Sequence, residues 1–170
     1  MQPSLDPLRQ QYNMRVGANA VIVRDGAVLA VEFNDENGPH YNLPGGGVES
    51  DEPILAGLQR EVREETGAEV TVGPLLFVTE YFPPRHAQRY GPLHKLTLFF
   101  RCELLPGSEP HLPARPDPHQ VGVRWLPLDR LQGEALLPYV LTERLPGLLA
   151  ADPANLFSNT VDLSPVGEEQ

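Results

Sequence analysis

An internal disulfide is excluded, because Cys102 is the only cysteine among the 170 residues. Its apolar neighbourhood, LTLFFRCEL, reads as a strand on which the thiol serves as a small buried hydrophobe. No uninterrupted apolar run approaches the roughly 20 residues that a membrane-spanning helix needs. The N-terminus, MQPSLDPLRQQYNMR, lacks the basic-then-apolar order of a signal peptide. A soluble, cytoplasmic protein is expected. Positive charge is scarce: 13 Lys and Arg stand against 23 Asp and Glu, the formal net charge is −10, and Lys95 is the only lysine. That balance argues against a long nucleic acid as the main partner, since binding a polyanion rests on clustered Lys and Arg. It permits a small anionic ligand that arrives with its own metal ion. Repeats and an internal linker are also missing, so a single domain is expected. Hydrophobic residues at 41% and charged residues at 21% are globular values.

The chain alternates strand-like and loop-like stretches. Strands are expected over 16–23 and 27–33, joined at Asp25-Gly26, a strong hairpin signal. A polar loop over 34–40 leads to a short extended piece, Tyr41 to Leu43. One or two strands follow over 69–81, broken at Gly73-Pro74, then a long strand over 93–105 and another over 121–126. Helical spacing appears between Asp51 or Glu52 and Gly67, briefly near 127–131, and over 134–149, where Pro138 and Pro146 must kink or split it. This order predicts an α/β fold, a mixed sandwich rather than a regular βαβ alternation.

One stretch concentrates the chemistry: Gly45 to Ala68, GGGVESDEPILAGLQREVREETGA. Leu55, Leu58 and Val62 recur at three and four residues and form an apolar stripe that docks the helix. Gly67 stands where a left-handed C-terminal cap is needed. Gly57, inside the helix, is read as allowing close packing on the sheet. Glu61, Glu64 and Glu65 crowd together beside Arg60. Like charges at these spacings cost only a few tenths of a kcal/mol per pair, so a solvated helix face paired with Arg60 and Arg63 is the plainer reading. Two features favour a site. The docked stripe holds the acidic face in one place, and three consecutive glycines let the backbone approach a ligand closely. Carboxylate and carbonyl oxygens clustered this way suit Mg²⁺ or Mn²⁺; zinc would favour His or Cys.

These residues resemble a known family. Gly46, five residues, Glu52, seven residues, then Arg60-Glu61-Val62-Arg63-Glu64-Glu65-Thr66-Gly67-Ala68 is similar to the Nudix box at every fixed position. Leu43 to Glu49 resembles the usual entry to that box, and Val123-Arg124-Trp125-Leu126-Pro127-Leu128 a late strand and turn of many members. The resemblance implies a Nudix-type α/β/α sandwich around a central mixed β-sheet, with the box (46–68) as a loop–helix–loop catalytic motif. The resemblance covers about Val16 to Leu131; a single Nudix domain is expected over 1–153, with 154–170 as a flexible tail. It implies Mg²⁺-dependent cleavage of a nucleoside diphosphate linked to another group, X, with Mn²⁺ as a substitute ion. Glu61, Glu64 and Glu65 would be metal ligands, with the Gly46 carbonyl as a further donor. Arg60 would orient Glu61, and Glu52 would support the loop. Glu64 is one candidate general base; Glu80, Glu103 and Asp117 are candidates outside the box. Many members carry a Glu where this chain has Gln120, so Asp117 or His119 is a possible stand-in.

Substrate recognition is read onto the loop 83–92, where Arg85 and Arg89 could neutralise phosphates and Tyr90 could stack on a base. Lys95 adds a further cation. The expected partner is a small nucleotide-derived substrate; a homodimer is compatible with the family and no sequence feature establishes it. Alternatives within the class are a nucleoside triphosphate pyrophosphohydrolase and an ADP-ribose or ADP-sugar hydrolase. Outside it stand a non-catalytic nucleotide-sensing domain and a purely structural acidic helix.

Overall fold

The computed structural model describes residues 14–36, 38–84 and 91–150, and the backbone of 160–162. Its elements run β1 (Met14–Arg24), β2 (Ala27–Asp35), β3 (Gly38–Asn42), β4 (Gly45–Gly47), α1 (Ile54–Thr66), β5 (Val70–Tyr81), β6 (His94–Leu104), β7 (Gln120–Pro127), a 3₁₀ segment (Leu128–Gly133), β8 (Leu136–Leu137), α2 (Val140–Ala150) and β9 (Thr160–Asp162). Seven strands follow the order β8-β3-β2-β1-β6-β5-β9, with β4 added to β1 and β7 to β2. The sheet is mixed: β1 and β6, β3 and β8, and β5 and β9 are parallel, while β1 and β2, β5 and β6, and β2 and β7 are antiparallel.

Strand alternation splits the apolar residues between two cores. Ala18, Ala20 and Ile22 of β1 face one way, with Leu29 and Cys102, and meet Leu58 and Val62 of α1. Val21, Val28 and Ala30 face the other way, with Phe77 and Phe99, and meet Leu141 and Leu145 of α2. One helix on each face gives the expected α/β/α arrangement. Phe77 and Phe99 stack at 4.4 Å in the second core. None of the helices among the described residues is long and apolar enough to cross a membrane.

Several local expectations need correction. Helix α1 starts at Ile54, with Pro53 as its extended N-cap, rather than at Asp51 or Glu52. In its first turn Leu55 is 46% exposed, and the docking stripe runs through Leu58, Val62 and Glu65. Gly57 accommodates the Glu52 carboxylate, not the sheet: a Cβ there would sit 2.6 Å from Glu52 Oε1. The expected break at Gly73-Pro74 does not divide the strand: β5 runs through from Val70 to Tyr81, with register shifts between Val72 and Leu75 and between Leu75 and Phe77. The span 134–149 is not one kinked helix. Leu136–Leu137 pairs with β3, a cis Leu137–Pro138 bond follows, and α2 begins only at Val140. Within the expected tail, Thr160–Asp162 pairs with β5; its other residues lie outside the described ones.

Candidate active site

The site begins with β4. Gly45–Gly47 runs antiparallel to Gly17–Asn19 of β1. Gly45 has φ +138, and a Cβ there would strike the Ala18 backbone, so only glycine fits. At Gly46 a Cβ would fall 2.6–2.8 Å from the Glu61 carboxylate. The glycine run therefore brings a buried side of α1 directly against backbone, and leaves room for carboxylates where side chains would stand. At the other end, Gly67 caps α1 in the left-handed conformation at φ 65 and returns its N–H to Arg63 O.

Arg60 is the hub. It grips Glu52 with both ends of its fork, Nε to Oε2 at 3.1 Å and Nη2 to Oε1 at 2.7 Å. Its Nη1 donates to Glu61 Oε1 at 2.9 Å and to Glu64 Oε2 at 3.0 Å, and Nη2 reaches Gly47 O at 3.3 Å. Glu52 also accepts the Glu49 N–H at 2.9 Å. The Arg60 hydrogen bond, then that backbone bond, hold the Glu52 carboxyl down to about 2. The hydrogen bond to Glu52 in turn raises the Arg60 guanidinium above its ordinary value. Glu52 thus belongs to the loop's support, and Arg60 ties the loop to Glu61 and Glu64.

Glu65 is only 6% exposed and accepts the Gly45 N–H at 2.8 Å. Burial pushes its carboxyl up to about 8, against that hydrogen bond and with help from the charges of Glu61, Asp117 and Glu64. Glu61 is raised too, first by burial and then by Glu64 and Asp117, while Arg60 opposes. Each of these carboxylates would be relieved by a cation among them. Among the described residues no three His, Cys, Asp or Glu side chains converge closely enough to hold an ion as they stand: Arg60 Nη1 stands between Glu61 and Glu64, and Glu65 turns to Gly45. The donor chemistry nevertheless fits a hard divalent ion, being oxygen throughout.

The outside-box candidates separate clearly. Asp117 acts electrostatically on both Glu61 and Glu65, so it belongs to the cluster. Glu80 pairs with His94 at 2.8 Å across β5 and β6. Glu103 opposes Thr71, four residues along β6 from Phe99, which neighbours the glycine run through Asn19; that is about 13 Å at strand spacing. Gln120 carries no charge but has a definite task. Buried on β7, it donates Nε2–H to Glu65 O at 2.6 Å and accepts the Asp117 N–H at 3.2 Å. It thereby clamps the Asp117 turn onto the end of α1.

A cavity of about 250 Å³ opens beside Gly45, lined by Asn19, Asn42, Thr79, Tyr81, Lys95 and Phe99 among others. Of the expected recognition residues, Lys95 is here; Arg85, Arg89 and Tyr90 lie outside the described residues. Asn19, whose side chain donates to Leu43 O at 2.7 Å, and Arg15, which reaches over Gly47, carry no sequence signal that marks them. Both are placed by strand register alone.

Known proteins resemble this chain in sequence and fold. A MutT-like protein of Streptomyces ambofaciens is 35% identical over 114 residues, covering 67% of this chain and 64% of the relative. The nucleoside triphosphatase NudI of Escherichia coli is 34% identical over 89 residues, 48% of this chain and 63% of the relative. The chain thus spans a little under two thirds of the length of these curated relatives. In three dimensions it resembles the MutT NUDIX hydrolase of Burkholderia pseudomallei, with a TM-score of 0.57, 29% identity, and coverage of 69% of this chain and 85% of that one. The NUDIX domain model matches residues 13–145, a span holding both cores, the glycine run and the Arg60 hub, and the chain belongs to the Nudix family.

Proposed function

We propose that this chain hydrolyses a pyrophosphate bond in a nucleoside diphosphate linked to a further group X, with the help of a divalent cation. The observation that carries the reading is the Arg60-centred carboxylate cluster, seated against Gly45–Gly47 at the edge of a cavity. Glu61, Glu64 and Glu65, with the Gly46 carbonyl, would hold Mg²⁺, or Mn²⁺ in its place. Such an ion supplies neutralisation of phosphate oxygens and a more acidic water.

The remaining work falls to side chains. Arg60, anchored by Glu52, holds Glu61 and Glu64 and reaches Gly47 O of the glycine run. Glu64 is the most open of the three at 54% exposure, and we assign it the water's proton. Asp117, held in place through Gln120, is the second acid within reach of the cluster. Lys95 meets the anionic substrate from the cavity wall. A cytoplasmic setting belongs to the same reading.

A nucleoside triphosphate is the second substrate class, favoured by the printed activity of the NudI relative. The test is a panel of nucleoside triphosphates, nucleoside diphosphate sugars and ADP-ribose, assayed with Mg²⁺ and with products weighed by mass spectrometry. Two monophosphates identify an X-linked substrate; a monophosphate plus inorganic pyrophosphate identifies a triphosphate. Absence of turnover across the panel, or turnover unchanged by Glu64→Gln, would sink the proposal.

A further inference from the structure

The last turn of α1 carries Glu64 and Glu65, and it is seated on the segment 105–119 that links β6 to β7. A helix leaves its final carbonyls without intrahelical partners. Here Arg63 O takes the Gly67 N–H at 2.9 Å, and Glu65 O takes the Gln120 amide. Thr66 is fully buried, so its carbonyl needs a partner within the protein. The His111 N–H supplies it at 2.8 Å. Just past the helix the chain is gripped again. Glu69 N–H donates to Ser108 Oγ at 2.7 Å, and Leu105 N–H donates to Glu69 O at 2.9 Å.

The His111 ring adds a steric contact. A Cβ on Gly67 would lie 2.7 Å from His111 Nε2, so the imidazole occupies the space that a side chain at 67 would fill. Gly67 thus meets two demands, a left-handed φ of 65 and room for this ring. The ring is itself oriented. A carbonyl can only accept, so Nδ1 carries a proton and donates it to Glu109 O at 3.0 Å. Both carboxylate oxygens of Glu109 take Arg24 Nη1 at 3.0 Å, and Arg24 lies 4.5 Å over the Trp125 ring. That ion pair is exposed and adds little by itself, but it attaches the same segment to the sheet. A line of contacts therefore runs from Trp125 through Arg24, Glu109 and His111 to the end of α1.

We propose that His111 and Ser108 are positioning residues: they seat the last turn of α1 and so set where Glu64 and Glu65 stand relative to the glycine run. This rests on the metal-dependent reading above and deepens it. Neither residue touches metal or substrate. Glu61, one turn earlier, rests against Gly46 whatever the helix end does. Helix ends fray unless held, and a frayed last turn would release Glu64 and the Glu65 carboxylate from their places while leaving Glu61 in its own. Outer support of metal ligands is commonly worth about 10–100-fold in metal affinity.

The experiment compares wild type with Ser108→Ala, His111→Ala, the double variant and His111→Phe, which keeps a ring over Gly67. His111 is exposed and Ser108 half-buried, so these chains should fold. Leu145→Ala, in the α2 core, is the control for lost stability away from the site. Mn²⁺ alone is titrated and the free ion followed by electron paramagnetic resonance. The double variant should bind it at least about ten-fold more weakly, His111→Phe should bind it more tightly than His111→Ala, and Leu145→Ala should match wild type. Amide exchange at Gly67 should quicken in the double variant. On a turned-over substrate kcat should fall with KM little changed, and the fall should persist in an Asp117→Asn background. Unchanged Mn²⁺ affinity in the double variant, an equal loss in Leu145→Ala, or a kcat effect that vanishes with Asp117→Asn overturns the seat. Failure of the two readings is distinguishable. Weakened Mn²⁺ binding in the double variant, with no turnover by wild type, removes the hydrolase reading and keeps the seat. Turnover by wild type with Mn²⁺ affinity unmoved by the variants removes the seat alone, and a wild type that binds no Mn²⁺ removes both.

Discussion

Glu65→Gln should make the metal-free protein more stable, by an amount that grows with pH. Glu65 is buried, with the Gly45 N–H as its backbone donor, and burial pushes its carboxyl to about 8 from 4.5. The folded protein therefore binds this proton more tightly than the unfolded chain does. The stability tied to that proton is fully present below about pH 4.5 and is lost as pH rises through about 8. For a carboxyl moving between those two values, the loss is about 3 kcal/mol by pH 7 and about 5 kcal/mol above pH 9. Glutamine has no charge to desolvate, and its amide oxygen can still accept the Gly45 N–H. The assay is urea unfolding of both proteins in chelator, from pH 5 to pH 9. Their stabilities should agree within about 1 kcal/mol at pH 5 and separate by about 3 kcal/mol at pH 7. Glu52, whose carboxyl is held at about 2, contributes stability that is lost only as pH falls toward that value, and it does so in both proteins. Added Mg²⁺ or Mn²⁺ at pH 7.5 should close the gap from the wild-type side, because only wild type keeps the third carboxylate. A difference that stays constant across the pH range, or a glutamine variant that is less stable throughout, would refute the reasoning.

Other positions give independent outcomes. Gly46→Ala drives a methyl into the Glu61 carboxylate, so turnover should fall by at least about 100-fold while circular dichroism stays native. Gln120→Ala strips a hydrogen bond from the buried end of α1 and should cost about 1–3 kcal/mol in urea unfolding; its effect on kcat should vanish in an Asp117→Asn background, since it acts by holding that turn. Leu58→Ala empties a fully buried position in the α1 core and should cost about 2–5 kcal/mol. Leu55→Ala, at an exposed position of the first turn, should stay within about 0.5 kcal/mol of wild type in the same unfolding assay.

The candidate site's central stretch was legible because its signals are local. Gly67 marks the helix end through its own φ, the glycine run forces close approach, and the Arg60 hub connects residues within one loop and helix. The α/β/α layering was implied by the family resemblance, while the order of elements pointed only to a mixed α/β sandwich; in the structure, alternation along β1 and β2 divides the apolar residues between the two cores. What escaped notice depends on partners distant in sequence. Leu55 has the right spacing for the stripe, yet the folded chain leaves it exposed. Leu136 and Leu137 fit a helical period, but pairing with β3 makes them a strand. The neighbourhood of Arg15 and Lys95 exists only through the parallel register of β1 and β6. Gln120 looked like a missing acid; it is a clamp that lends Asp117 to the cluster.

The central claim, that Glu61, Glu64 and Glu65 form a metal-dependent site for pyrophosphate hydrolysis, is tested most directly by turnover in ¹⁸O-labelled water. Wild type and Glu64→Gln are compared with Mg²⁺ and with chelator, and products are weighed by mass spectrometry. The account expects one ¹⁸O in a single phosphorus-containing product of wild type with Mg²⁺, no product in chelator, and a loss of at least about 100-fold in Glu64→Gln. Label-bearing products formed equally well in chelator, or equally fast by Glu64→Gln, would contradict it.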